Sequence, residues 1–126
     1  MPLDIRLAGD ADVALQLHND AHYWFLHPWF LRIREAIGKS IDLYGDAEMH
    51  EGAGLPMLAR MLAEARSAAE QQPATWQVHV GTQLRPVRQE LYETARRPEL
   101  LQTIAALEAV VNRALAQRRS LVFSGD

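Results

Sequence analysis

Thr75-Trp76-Gln77-Val78-His79-Val80-Gly81-Thr82 alternates apolar and polar residues. Trp76, Val78 and Val80 fall on one side of an extended chain, with Gln77 and His79 on the other. Successive side chains in a strand point to opposite faces, so this pattern predicts a half-buried β-strand. The strand ends at a glycine followed by a polar residue, and two other segments end alike: Ile41-Asp42-Leu43-Tyr44-Gly45-Asp46 and Leu121-Val122-Phe123-Ser124-Gly125-Asp126. Three strands leaving a sheet through glycine turns are the reading from which the rest of the chain is organised.

Between these segments the period changes to that of a helix. Leu55, Leu58, Ala59, Leu62, Ala65 and Ala69 form one stripe, widened by Met57 and Met61, and the helix must stop before Pro73. Leu100 or Leu101, Ile104, Leu107, Val111 and Leu115 form another. Pro98 suits its first turn, and Arg118 and Arg119 suit its carboxyl end. Upstream, Asp20 can cap a helix running to Ile37, with Gly38 closing it in a left-handed turn. Pro28 either kinks that helix or opens it, because proline lacks the backbone donor and clashes one turn back. Trp24 and Trp29, five residues apart, point roughly 140° from each other on a straight helix, which places one tryptophan near the surface. Leu3, Ile5 and Leu7, a turn at Gly9 to Asp12, and Val13, Leu15 and Leu17 predict a β-hairpin; Asp10 or Asp12 capping a helix is the alternative. Residues 84–97 lack a consistent period, and a helical turn or an ordered loop is expected there.

The expected fold is a single compact α+β (or α/β) domain over residues 1–126, an amino-terminal β-hairpin followed by helices alternating with three strands in one sheet. Right-handed crossovers would make those strands parallel or mostly so. Their glycine-ended tips would then gather on one rim.

Composition bounds the function. The 126 residues carry 48% hydrophobic and 23% charged side chains, as ordinary globular proteins do. Sixteen acidic against thirteen basic residues give a net charge of −3, which argues against nucleic acid or an anionic membrane as partner. Without cysteine there is no disulfide, zinc-thiolate or thiol chemistry, and a cytoplasmic location is expected. The start Met1-Pro2-Leu3-Asp4-Ile5-Arg6 lacks a signal-peptide pattern. The most apolar patch, 23–33, is interrupted by His27, Pro28 and Arg32 and is too short to span a bilayer.

No catalytic motif emerges. Ligands of an open parallel sheet bind beyond the carboxyl ends of its strands, so Asp46, Thr82 and Asp126, with Tyr44 and His79 nearby, form the candidate site. Aspartate after glycine is equally a turn residue. His18 and His22 have i, i+4 spacing, but Asn19-Asp20 marks a helix boundary between them, which speaks against a metal pair. Gly38-Lys39-Ser40 ends a helix rather than opening one, unlike a phosphate loop. Neither Ser120 nor Ser124 sits in a nucleophile elbow. Arg85, Arg88, Arg96 and Arg97 are interleaved with Glu90 and Glu93, which fits a solvated or protein-binding surface. Trp24, Tyr44 and Tyr92 could line such a contact patch, since aromatic side chains supply large contact areas at low entropic cost.

The segments 38–46, 76–83 and 121–126 together resemble a group of small uncharacterised bacterial proteins, and small acidic proteins of this kind are similar to immunity proteins that neutralise a toxin. The negative net charge, the lack of a catalytic motif and of cysteine, and the aromatic excess near one helix lead to the expectation of a non-enzymatic protein-binding module, an immunity-type inhibitor among the readings, with a toxin or a second copy of itself as partner and no cofactor or metal. The alternative is a small enzyme or ligand-binding domain using the polar residues at the strand ends.

Overall fold

Residues 2–125 are described by a computed structural model. Leu3, Ile5 and Leu7 are all buried on one side of β1 (Leu3–Leu7), as the alternation requires. Gly9, at φ 92°, turns the chain toward β2 (Leu15–Leu17), which pairs antiparallel with β1 through Leu3–Leu17 and Ile5–Leu15. The expected amino-terminal hairpin is therefore present. On its other edge β1 pairs with β6 (Leu121–Ser124), and β6 pairs with β3 (Asp46–Met49), both antiparallel. The order is β2-β1-β6-β3.

Three helices complete the fold: α1 (Asp20–Ile37), α2 (Gly54–Glu70) and α3 (Arg97–Ala116). Leu26, Phe30 and Ile33 of α1, Leu58, Leu62 and Ala65 of α2, and Ile104, Leu107 and Val111 of α3 share one core with the inner residues of the sheet, among them Met49, Leu121 and Phe123. Helix α1 runs unbroken through Pro28, whose ring lies on its exposed side. Its carboxyl end is as expected, Gly38 closing it at φ 73° with its N–H on the Arg34 carbonyl, but the cap is Asn19 rather than Asp20: the Asn19 side chain accepts from the His22 N–H, and Asp20 is the first helical residue. No helix among the described residues is long and apolar enough to cross a membrane.

The class is α+β, but the strands differ from expectation in three ways. First, Ile41 to Tyr44 is not a strand: Ile41 and Leu43 are buried and Asp42 and Tyr44 exposed, yet the stretch forms a loop ending in a turn. The free edge of β6 is taken instead by the next four residues, Asp46–Met49. Second, β4 (Thr75–Gln83) does not join the main sheet; it pairs antiparallel with β5 (Gln89–Arg96) in a separate two-stranded sheet. Third, every strand pair among the described residues is antiparallel, so these strands form no rim of parallel ends.

The β4–β5 hairpin is fastened at its base. Trp76 meets the ring of Phe25 at 5.8 Å edge-on, Ala95 opposite it is buried, and Arg97 donates from its backbone to the Ala74 carbonyl and from its guanidinium to that of Gln72. A bulge between His79 and Gly81 shifts the register by one residue. Around the tip and back along β5, every residue from 84 to 94 is exposed.

Candidate functional site

The expected site residues separate into two groups. His79, Thr82 and Tyr92 lie together on the outward face of the β4–β5 hairpin. His79 stands opposite Tyr92 with the rings 5.4 Å apart, and Thr82 stands opposite Glu90. One Glu90 carboxylate oxygen receives the Thr82 hydroxyl at 2.9 Å and lies 2.6 Å from His79 Nε2, while Arg88 approaches the other at 3.4 Å. These donors, Thr82 first and then His79, hold the Glu90 carboxyl below its ordinary range. The bulge is what allows the cluster. It brings Thr82 to the same side as His79, although the two are three positions apart and an unbroken strand would place them on opposite faces.

This network is open to water. It enforces strand register and presents a polar stripe, with Gln77 donating to Thr94 further along at 2.8 Å. Around the tip, Leu84 is 72% exposed, Val87 65% and Tyr92 56%, and Leu91 is also exposed. Both outer edges of the two-stranded sheet carry unpaired backbone groups. The arrangement has the make-up of a contact surface.

Trp24 and Tyr44 meet elsewhere, across a cleft between α1 and the loop that precedes β3. Trp24, His27, Leu31 and Arg34 form one wall because the spacing i, i+3, i+7, i+10 keeps them on a single helical face. Ser40, Ile41, Asp42 and Tyr44 form the other, and the buried rings of Tyr23 and Phe30 lie between. Three contacts hold the loop. The Tyr23 hydroxyl donates to the Ile41 carbonyl at 2.9 Å, the Tyr44 N–H donates to the Asp42 carboxylate at 2.9 Å, and the Gly125 N–H donates to the Gly45 carbonyl at 2.9 Å. Burial and then the nearby Asp42 charge push the Tyr23 phenol up to about 12. Burial lowers His27, an effect that Asp42 opposes.

Asp46 joins neither group; it opens β3 opposite Ser124, in a different sheet from His79 and Thr82. Asp126 lies outside the described residues. Of the residues expected at a common rim, Asp46 and Thr82 are thus apart, because β3 and β4 belong to two separate antiparallel sheets.

A further cavity of about 310 Å³ lies where β2 meets α1 and α3, lined by Leu15, Leu17, His18, His22, Glu99 and Thr103 among others. His22, only 4% exposed, has Nδ1 2.8 Å from the Thr103 hydroxyl, and its Nε2 is buried without a partner. Burial lowers its pKa, with Glu99 opposing and His18 reinforcing the shift. His18 precedes the Asn19 cap while His22 lies inside the helix, so the boundary expected between them is real. Among the described residues no group of three His, Asp or Glu side chains could hold a metal ion. The i, i+4 spacing was the sequence signal for His22, but burial against α3 could be known only from the fold.

No protein-family model matches the chain, and neither a curated protein nor a solved structure matches it.

Proposed function

We propose that the protein is a non-enzymatic protein-binding module that engages its partner through the β4–β5 hairpin. The observation that carries this reading is the run of eleven consecutive exposed residues, 84–94, in a two-stranded sheet whose tip bears Leu84, Val87, Leu91 and Tyr92. A two-stranded hairpin is marginally stable alone in water, and exposed apolar side chains rimmed by charge mark contact sites. Arg85, Arg88, Glu90 and Glu93 supply that polar rim. The unpaired edge of either strand offers backbone groups for strand addition. An immunity-type inhibitor belongs to the same proposal: it works by covering its partner, which needs an accessible surface and no reactive group.

The test compares the native sequence with a Leu84→Asp, Tyr92→Ala double variant, both tagged and recovered from the cell that encodes them. A stoichiometric complex with the native chain that is lost in the variant, at unchanged melting temperature, is the expected result. A monomeric protein with no stoichiometric partner would overturn the reading, as would a complex indifferent to the double substitution.

A further inference from the structure

Two opposite charges face the cleft between α1 and the 40–44 loop without meeting. Among the described residues, Arg34, in the last turn of α1, makes no ion pair, and the Asp42 carboxylate receives only the Tyr44 N–H. Between them lie Trp24, half-buried with the His27 ring 4.8 Å from it, on one side, Tyr44, 68% exposed, on the other, and Tyr23 and Phe30 beneath. The cavity measures about 170 Å³. A cavity of about 150 Å³ accommodates a molecule the size of benzene, so this one suits a ligand of about six to eight heavy atoms.

We propose that this cleft binds a small zwitterion, an organic ammonium joined within a few bonds to a carboxylate, as in an amino acid or its N-methylated form. The ammonium belongs against the faces of Trp24 and Tyr44, where ring quadrupoles attract a cation, with the Asp42 carboxylate supplying the counter-charge. The ligand carboxylate belongs at Arg34, whose planar fork matches carboxylate geometry. A simple anion would meet Asp42 and gain nothing from the rings; a simple cation would leave Arg34 unanswered. The walls are preorganised, because the loop is pinned by Tyr23 below and by Gly125 behind. The cleft shares no residue with the hairpin, and its occupancy does not depend on a protein partner.

The experiment titrates the purified chain with glycine betaine, choline and acetate while the indole N–H signals are followed by NMR, with Trp24 assigned from a Trp24→Phe variant. Betaine is expected to shift the Trp24 signal saturably, choline to bind about tenfold more weakly, and acetate to leave it unmoved; loss of one charge-assisted hydrogen bond is a change of about that size. Arg34→Gln should reduce betaine to the affinity of choline and should not weaken choline. Asp42→Asn, which keeps an acceptor for the Tyr44 N–H, should weaken both. No saturable shift with betaine at tens of millimolar would overturn the proposal. So would equal binding of betaine and choline, or betaine binding unchanged by either substitution.

Discussion

Gly125 lies so close to the backbone of Leu43 that a Cβ at position 125 would stand 2.3 Å from the Leu43 carbonyl carbon and oxygen, and 2.6 Å from the Asp42 carbonyl oxygen. The end of β6 is thereby wedged against the loop that carries Asp42 and Tyr44. The same loop is held from the opposite side by the Tyr23 hydroxyl.

Gly125→Ala should therefore displace the loop rather than merely fill space, since the obstructing atoms are backbone. A loss of about 1–3 kcal/mol, the usual range for overpacking, is expected in urea unfolding. Gly45→Ala is the control: its added methyl meets nothing within 4 Å, so stability should hold. Equal losses in the two variants would show that the close approach is not the cause.

Stability should decline as the solution is acidified through the histidine range. His22 and His27 both have lowered values in the folded protein, His22 chiefly through burial. The unfolded chain, with histidine near its ordinary value of 6.5, then binds more protons than the native state once pH falls below that value. The stabilisation is fully present above about pH 6.5 and is lost as pH falls from there toward the folded values. Each histidine contributes at most about 1.4 kcal/mol per pH unit. Urea midpoints at pH 7.5, 6.5 and 5.5 measure the slope, and His22→Gln, which can still hydrogen-bond Thr103, should flatten it. A slope unchanged by that substitution would exclude His22 as the source.

The hairpin should detach locally when its anchor is removed. Trp76 reaches Phe25 at 5.8 Å, whereas the tip makes no comparable contact. Trp76→Ala is expected to cost about 2 kcal/mol, less than a fully buried tryptophan because Trp76 is half-exposed. Hydrogen exchange should show the β4–β5 amides losing protection while α2 and α3 keep theirs. Leu84→Asp, at an exposed position, should change stability by no more than about 0.5 kcal/mol.

Arg66 of α2 and Glu108 of α3 are paired, with Arg66 Nε 3.0 Å from the carboxylate and a terminal guanidinium nitrogen on the same oxygen. Both side chains retain solvent contact, so Arg66→Met should lower the melting temperature only slightly. The difference from the native chain should vanish near 1 M salt, where the screening length shrinks to about 3 Å. Thermal melts at low and high salt give both numbers.

How far the sequence can be read depends on where each segment's partner lies. The stripes of α2 and α3 and the alternation of β1 are signatures of one buried face, and each appeared where the period placed it. Gln89–Arg96 escaped detection because water touches both of its sides beyond the base: Leu91, Glu93 and Tyr92, Glu90 give no contrast in hydrophobicity. Ile41–Tyr44 has the contrast without the ladder, since Ile41 and Leu43 sink into the core from a loop. The expected patch was legible in residue type. Its division into a hairpin face with His79, Thr82 and Tyr92 and a cleft with Trp24 and Tyr44 was not.

By itself the sequence determined the helices, the Gly38 cap of α1, the amino-terminal hairpin and the α+β class, because these depend on residues within a few positions of each other. Only the tertiary structure decided which strands pair, that β4 leaves the main sheet, and that Arg34, Asp42, Trp24 and Tyr44 face one cavity. Those outcomes rest on contacts between distant segments, such as β6 against β1 and Gly125 against Leu43, whose geometry no local period of hydrophobicity encodes.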